Sequence, residues 1–180
     1  MLIVGALIAL CFGCATVVVR ERPDNPAAVE VLLESVRGVT VQAVSGAWKD
    51  EAFVAECVLK GDGERLSAVL LAPQMRLATL TMEKPCRICW ERSPQLPSTL
   101  DPEYVILNLA LVLLPADKLA KALGDGYRID ETADGKRRTV FDVNRGELQS
   151  VRQILPTGEL HFRNVVYGYE FTVKTVAHED

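Results

Sequence analysis

Five cysteines and two histidines are the most reactive side chains of this sequence. Cys86 and Cys89 form a C-x-x-C motif, the spacing of thiol redox centres and of half a zinc site. A zinc site needs a second half, either another C-x-x-C or two spaced histidines. The other C-x-x-C, Cys11 to Cys14, stands in an apolar leader, and His161 and His178 are far apart. A thioredoxin-like motif opens a helix after a strand. Here Pro85 precedes the motif, and Trp90-Glu91-Arg92 continues it in a strand-like pattern. Structural thiols, a local disulfide with a redox role and a metal half-site stay open for this pair. Cys57 makes the number of cysteines after the leader odd.

Nothing else assembles a catalytic set. The chain has no Gly-x-Ser-x-Gly and no phosphate loop. His161 falls in an apparent strand and His178 in the last few residues. Asp62, Asp101, Asp125 and Asp134 each stand where a turn or a helix cap uses a carboxylate. The expectation is a protein that is not an enzyme and carries no cofactor and no metal. Net charge is −4, the pI is about 5.3, and no basic cluster exists, so nucleic acid is not an expected partner.

Cys14 carries a different chemistry. Leu2 to Phe12 is almost wholly apolar, and Gly13 precedes the cysteine. The pattern resembles a bacterial lipoprotein signal peptide, in which that cysteine becomes the lipidated first residue. Cys11 stands where leucine is usual, and the leader lacks the Lys or Arg of a secretory signal. The alternative is a buried strand or an uncleaved anchor. Several acyl chains on Cys14 would hold the protein stably on a membrane. Ala15, rather than aspartate, follows the cysteine, which points to the periplasmic face of the outer membrane. The expected divisions are a signal peptide over 1–13, a tether over 14–25, one domain over 26–176 and a tail over 177–180.

The elements that would position these groups are mostly strands. Asn25-Pro26 opens a short helix with Val29, Leu32, Leu33 and Val36 at helical spacing. Alternating strands follow from Val39 to Glu91, separated by turns at Gly61-Asp62-Gly63, Pro73-Gln74 and Glu83-Lys84-Pro85. A second series runs from Tyr127 to Val176. Together they give about ten antiparallel strands, which favour a barrel or a strongly curved sheet because curling shortens exposed edges.

Between the two series lies the most apolar stretch after the leader. Asp101-Pro102 is a helix start. Val105 to Leu114 contains one polar residue, Asn108, and Pro115 breaks the helix before a second one reaches Gly124. The apolar run is about half the ~20 residues needed to span a bilayer. It must cover either a core or a ligand.

Several motifs in order resemble those of a known family. They are Gly63-Glu64-Arg65-Leu66-Ser67; Ser93-Pro94-Gln95-Leu96-Pro97; Leu100-Asp101-Pro102 with Ile106 to Leu111; the Leu114-Pro115 break with Leu119 to Leu123; and Asn164 with Tyr167-Gly168-Tyr169. With the lipidation motif they resemble the LolA/LolB class, and more closely a family of short bacterial lipoproteins with a LolB-like domain. Genes for that family often lie near aryl-polyene or fatty-acid-like synthesis genes. The resemblance implies an α+β, mainly antiparallel fold: an incomplete barrel of about ten strands with a helical lid. It implies an outer-membrane lipoprotein that binds or relays an acyl, lipid or lipoprotein cargo, with a periplasmic carrier protein as a partner. The candidate lining residues are Phe53, Leu77, Val105, Leu109, Val112, Leu113, Tyr169 and Phe171. The alternative is a structural or assembly lipoprotein with a filled core and no ligand.

Overall fold

The computed structural model describes residues 16–48, 51–73, 75–96 and 100–179. Cys14, the leader before it, Gln74 and residues 97–99 lie outside the described residues. Strand β1 (Thr16–Arg20) and helix α1 (Pro26–Ser35) come first. Five strands follow: β2 (Gly38–Trp48), β3 (Glu51–Gly61), β4 (Arg65–Ala72), β5 (Met75–Glu83) and β6 (Arg87–Arg92). Helices α2 (Pro102–Leu113) and α3 (Ala116–Leu123) separate them from a second set. That set is β7 (Tyr127–Glu131), β8 (Arg137–Asp142), β9 (Glu147–Ile154), β10 (Leu160–Asn164) and β11 (Tyr169–Glu179).

The eleven strands of the described residues form one antiparallel sheet in the order β1-β6-β5-β4-β3-β2-β11-β10-β9-β8-β7. Pairing of β2 with β11 joins the two meanders into one surface. The sheet does not close, because β1 and β7 are its two edges. It is the expected incomplete antiparallel barrel with a helical lid, with eleven strands in place of about ten.

Each helix starts and stops for a local reason. The Asn25 side chain accepts from Ala28 N at the start of α1, and Asp101 accepts from Glu103 N at the start of α2. Pro115 has no N–H to continue α2, and Gly124 ends α3 with φ 72°. Asn25 also donates to Ala122 O at 3.0 Å, and Lys118 donates to Ser35 Oγ at 3.1 Å, which ties α1 to α3. Val29, Leu32 and Leu33 of α1 and Ile106, Leu111 and Leu119 of the lid pack into one core with Leu59, Leu66, Leu80, Met82, Ile88 and Phe162 from the sheet. Burying each such side chain contributes about 1.5–3 kcal/mol.

Two ends of the chain differ from the expected divisions. Residues 16–20, expected in a tether, form β1 and pair with β6 from Thr16↔Arg92 to Arg20↔Ile88. Val18 packs against the core, so this strand has an apolar inner side. At the other end β11 continues to Glu179 rather than stopping at 176. A register shift between Thr175 and Ala177 breaks the alternation there, which hides the strand from a pattern of period two. Beyond the shift His178 pairs with Thr40, and its Nδ1 lies 2.8 Å from Thr40 Oγ1.

The antiparallel order gives the sheet two unlike rims. The start of β1, the ends of β2 and β4, the starts of β3 and β5, and the β8–β9 and β10–β11 turns share one rim. The β3–β4, β5–β6, β7–β8 and β9–β10 turns share the other.

Candidate functional site

Helix α2 is tied to both halves of the sheet. At its start, Arg20 of β1 pairs with Asp101 at 2.6 Å and with Glu103 at 3.2 Å. At its end, Arg152 Nε of β9 donates to Val112 O at 3.1 Å, and Arg138 Nη1 of β8 donates to Leu114 O. The last turn of α2 has no basic residue of its own. The two sheet arginines therefore satisfy carbonyls that a helix end leaves without partners, and they oppose its negative dipole end. Arg138 is buried and also holds Glu131 Oε1 at 2.7 Å.

Two clefts of about 430 Å³ each lie at the two ends of α2. The first lies beside the C-terminal end. Its walls include Val112, Leu113, Leu160 and Val173, with Arg152, Lys174 and Glu159 as charged members. Arg152 is half-buried, and among the described residues no carboxylate stands within ion-pair distance of it. Burial and the neighbouring Arg138 charge lower its pKa from the ordinary value, and Glu131 offsets part of this. The second cleft lies between the α2 start and the β1–β6 edge, lined by Val18, Trp90, Leu100 and Tyr104 among others. The Trp90 Nε1 donor is buried and has no hydrogen-bond partner among the described residues.

An aromatic row runs between the lid and the sheet. Tyr104 of α2 meets Tyr167 with ring centroids 4.6 Å apart, Tyr167 stacks with Tyr169 at 6.4 Å, and Tyr169 with Phe171 at 6.1 Å. Phe171 then meets Phe162 at 5.1 Å. Beside the row is a small polar nook. Buried Asn164 donates to Asn108 Oδ1 at 3.3 Å and accepts from Tyr167 N at 3.0 Å. The Tyr169 hydroxyl is buried beside the side chains of Asn108 and Asn164 without a well-formed hydrogen bond, and burial raises its pKa.

The eight candidate lining residues separate into groups. Val112 is buried, and Val112 and Leu113 line the first cleft. Val105, Leu109, Leu113, Tyr169 and Phe171 are half-buried against the core. Phe53 is 36 % exposed on β3 and shares a register row with Gly46 and Phe171. Leu77 is half-buried at a bulge in β5, outside the core cluster. Much of the lid meets side chains directly: Ile106, Leu111, Leu114 and Phe162 are all at most 4 % exposed. Sequence reasoning passed over Arg152. The signal was an arginine at an inward register position of β9, opposite Phe162.

Cys57 faces inward, and burial pushes its thiol up to about 11. Cys57, Cys86 and Cys89 are free thiols. Cys86 sits in the turn before β6, and the Cys89 position alternates with buried Ile88 and Trp90 on that strand. No group of three or more metal-ligating side chains occurs among the described residues.

Comparison with known proteins adds three findings. No curated protein matches the chain. Among solved structures, the crystal structure of a DUF1329 family protein from Desulfovibrio piger is similar, with a TM-score of 0.42 and 8 % identity, covering 83 % of this chain and 88 % of that one. Residues 39–177 match the family described as "Protein of unknown function (DUF3261)". That span holds the strands from β2 to the β11 bulge, together with the lid, and the chain therefore belongs to the DUF3261 family.

Proposed function

We propose that this protein is an envelope lipoprotein, anchored through Cys14 at the periplasmic face of the outer membrane, that binds or relays an acyl or lipid-like cargo without catalysis. The observation that carries the reading is Arg152. A half-buried guanidinium with no carboxylate within ion-pair distance among the described residues stands in a cleft walled by Val112, Leu113, Leu160 and Val173, with Lys174 and Glu159 also on its lining. Apolar walls beside a fixed cation suit an amphiphile with an anionic head. Each CH₂ buried would contribute roughly 0.8 kcal/mol. The Arg152 fork would meet a carboxylate or phosphate. A periplasmic carrier protein would deliver or receive such a cargo.

The test is titration of the full chain with a fluorescent fatty acid. Binding is expected, and Arg152→Met should weaken it about tenfold or more, the loss of one charged hydrogen bond of about 1.5–3 kcal/mol. Arg152→Lys should recover part of the loss. Absence of binding, or equal binding by the Met variant, would remove the reading. A second reading, a structural or assembly lipoprotein without ligand, draws on the buried leucines and Phe162 that fill the space under α2. It expects no uptake of fatty acid at all.

A further inference from the structure

We infer that the rim bearing the start of β1 is seated in the membrane interface, with the β8–β9 and β10–β11 turns inserted among the lipid headgroups. The inference rests on the reading of Cys14 as the anchor. If Cys14 carries the lipid, only Ala15 separates the lipid from Thr16, the first residue of β1. Two residues reach at most about 7 Å. A long tether would let the domain hang in the periplasm at any angle. A strand that starts two residues after the anchor holds one rim of the sheet against the bilayer.

That rim has the surface such a position requires. The β10–β11 turn is Val165-Val166-Tyr167-Gly168, and its Val165, Val166 and Tyr167 are all exposed. Turns are normally built from Gly, Pro, Asn, Asp and Ser; Tyr167 has partners in Tyr104 and Tyr169, but the two exposed valines beside it call for a cause outside the fold. Val143, at the start of the β8–β9 turn, is 55 % exposed. Met75 at the start of β5 and Tyr127 at the start of β7 are exposed on the same rim. Tyrosines favour the headgroup level, where the ring is buried and the hydroxyl is wet. The β8–β9 turn also carries charge: exposed Arg145 pairs with Asp142 at 3.8 Å, Glu147 is exposed beside them, and the Arg145 stem has the reach to place its guanidinium among headgroups.

The opposite rim is the control that the molecule supplies. Its turns are Asp62-Gly63-Glu64, Lys84-Pro85-Cys86, Thr132 to Lys136 and Pro156 to Glu159. These turns carry charges and no large exposed apolar side chain; on the strand ends of this rim the exposed apolar residue is Val176, three residues before the end of β11. The cleft containing Arg152 reaches this polar rim through Thr157, Gly158 and Glu159. A domain seated as inferred would turn that cleft toward the periplasm.

The full lipidated chain in vesicles of phosphatidylethanolamine and phosphatidylglycerol with brominated acyl chains tests this. Two variants add a reporter tryptophan, Val166→Trp on the apolar rim and Asp134→Trp on the polar rim, each read against the unmodified chain. An apolar face in the interface lies roughly 5–10 Å deep, so bromine should quench the added emission at 166 about twofold or more and leave that at 134 unchanged. Val143→Trp should behave as Val166→Trp. A chain that stays with the vesicles while tryptophans 166 and 143 are quenched no more than 134 would overturn the seating and leave the anchor intact. A chain that separates from the vesicles on flotation, with mass spectrometry showing Cys14 unmodified, would overturn both.

Discussion

Replacing Arg138 by methionine should loosen the lid at its firmest point. Arg138 is 4 % exposed and spans two partners, Glu131 on the neighbouring strand and Leu114 O at the end of α2. Three effects set the size of the loss. The Leu114 carbonyl, in a residue 1 % exposed, would lose its donor, which costs about 1–3 kcal/mol. Glu131 keeps 26 % of its side-chain surface in water, so its lost ion pair counts nearer the surface value of about 1 kcal/mol than the value for a buried pair. The positive charge that lowers the Arg152 pKa would disappear, which returns a part. Methionine refills most of the stem's apolar contacts. The net expectation is about 3 kcal/mol. For a chain of this size each kcal/mol shifts Tm by roughly 2–4 °C, so the drop is roughly 6–12 °C. Thermal melts followed by circular dichroism read it, with Arg137→Met, an exposed position on the same strand, as the control within about 0.5 kcal/mol. A loss under about 1 kcal/mol in Arg138→Met would refute the assignment of Arg138 as the clasp of α2.

Gly46→Ala should separate β2 from β11, since an added Cβ would clash with Glu170 O and lie 2.7 Å from Phe171 Cβ. A loss of about 2 kcal/mol is expected from denaturant melts, and an unchanged midpoint would contradict that packing. Cys57 should alkylate slowly: its thiol at about 11 lies roughly two units above the ordinary value, so its thiolate fraction near neutrality falls about a hundredfold. Mass spectrometry of iodoacetamide adducts should show Cys57 lagging in the native chain and reacting normally in urea. The Asp62 carboxyl accepts from Arg65 N and Glu64 N, which holds its pKa below the usual carboxylate range. Its contribution is present above the unfolded value of about 3.9 and is lost as pH falls through the folded value. Asp62→Asn should therefore flatten the stability profile on the acid side only.

The helices and most strands were legible because their signals are local. Asn25-Pro26, Asp101-Pro102, Pro115 and Gly124 act within one turn of chain, and each marks a helix boundary within a residue. β1 was not legible, because Thr16-Val17-Val18-Val19-Arg20 follows an apolar leader and has no turn joining it to its partner. Its pairing with β6 spans some seventy residues. The site was least legible. Arg138 and Arg152 read as ordinary polar positions on alternating strands, and only the sheet order brings them under the end of α2. Asn108 stood out as the one polar residue of its run, yet its partner Asn164 lies 56 residues away.

The two clasps of α2 are unequal, and the difference says which end of the lid gives first. The start is held by Arg20, whose side chain is 30 % exposed, through Asp101, 37 % exposed, and Glu103, 12 % exposed. Pairs of that exposure contribute about 0–1 kcal/mol and weaken in salt. The end is held by buried Arg138 and half-buried Arg152 through helix carbonyls, which bulk salt reaches poorly. Local opening follows the weakest contacts. Amides in the first turn lack intrahelical partners and exchange fast in any case, so the informative ones are Ile106 to Asn108 against Leu111 to Leu113. Hydrogen exchange should be faster in the first group, and salt at about 1 M, where the screening length is about 3 Å, should widen the gap. The cleft that then enlarges is the one lined by Trp90 and Leu100; the buried Trp90 indole N–H lacks a partner among the described residues. Equal exchange in the two groups, or a gap that salt leaves unchanged, would mean that α2 moves as one rigid piece and that the Arg20 pairs do not gate it.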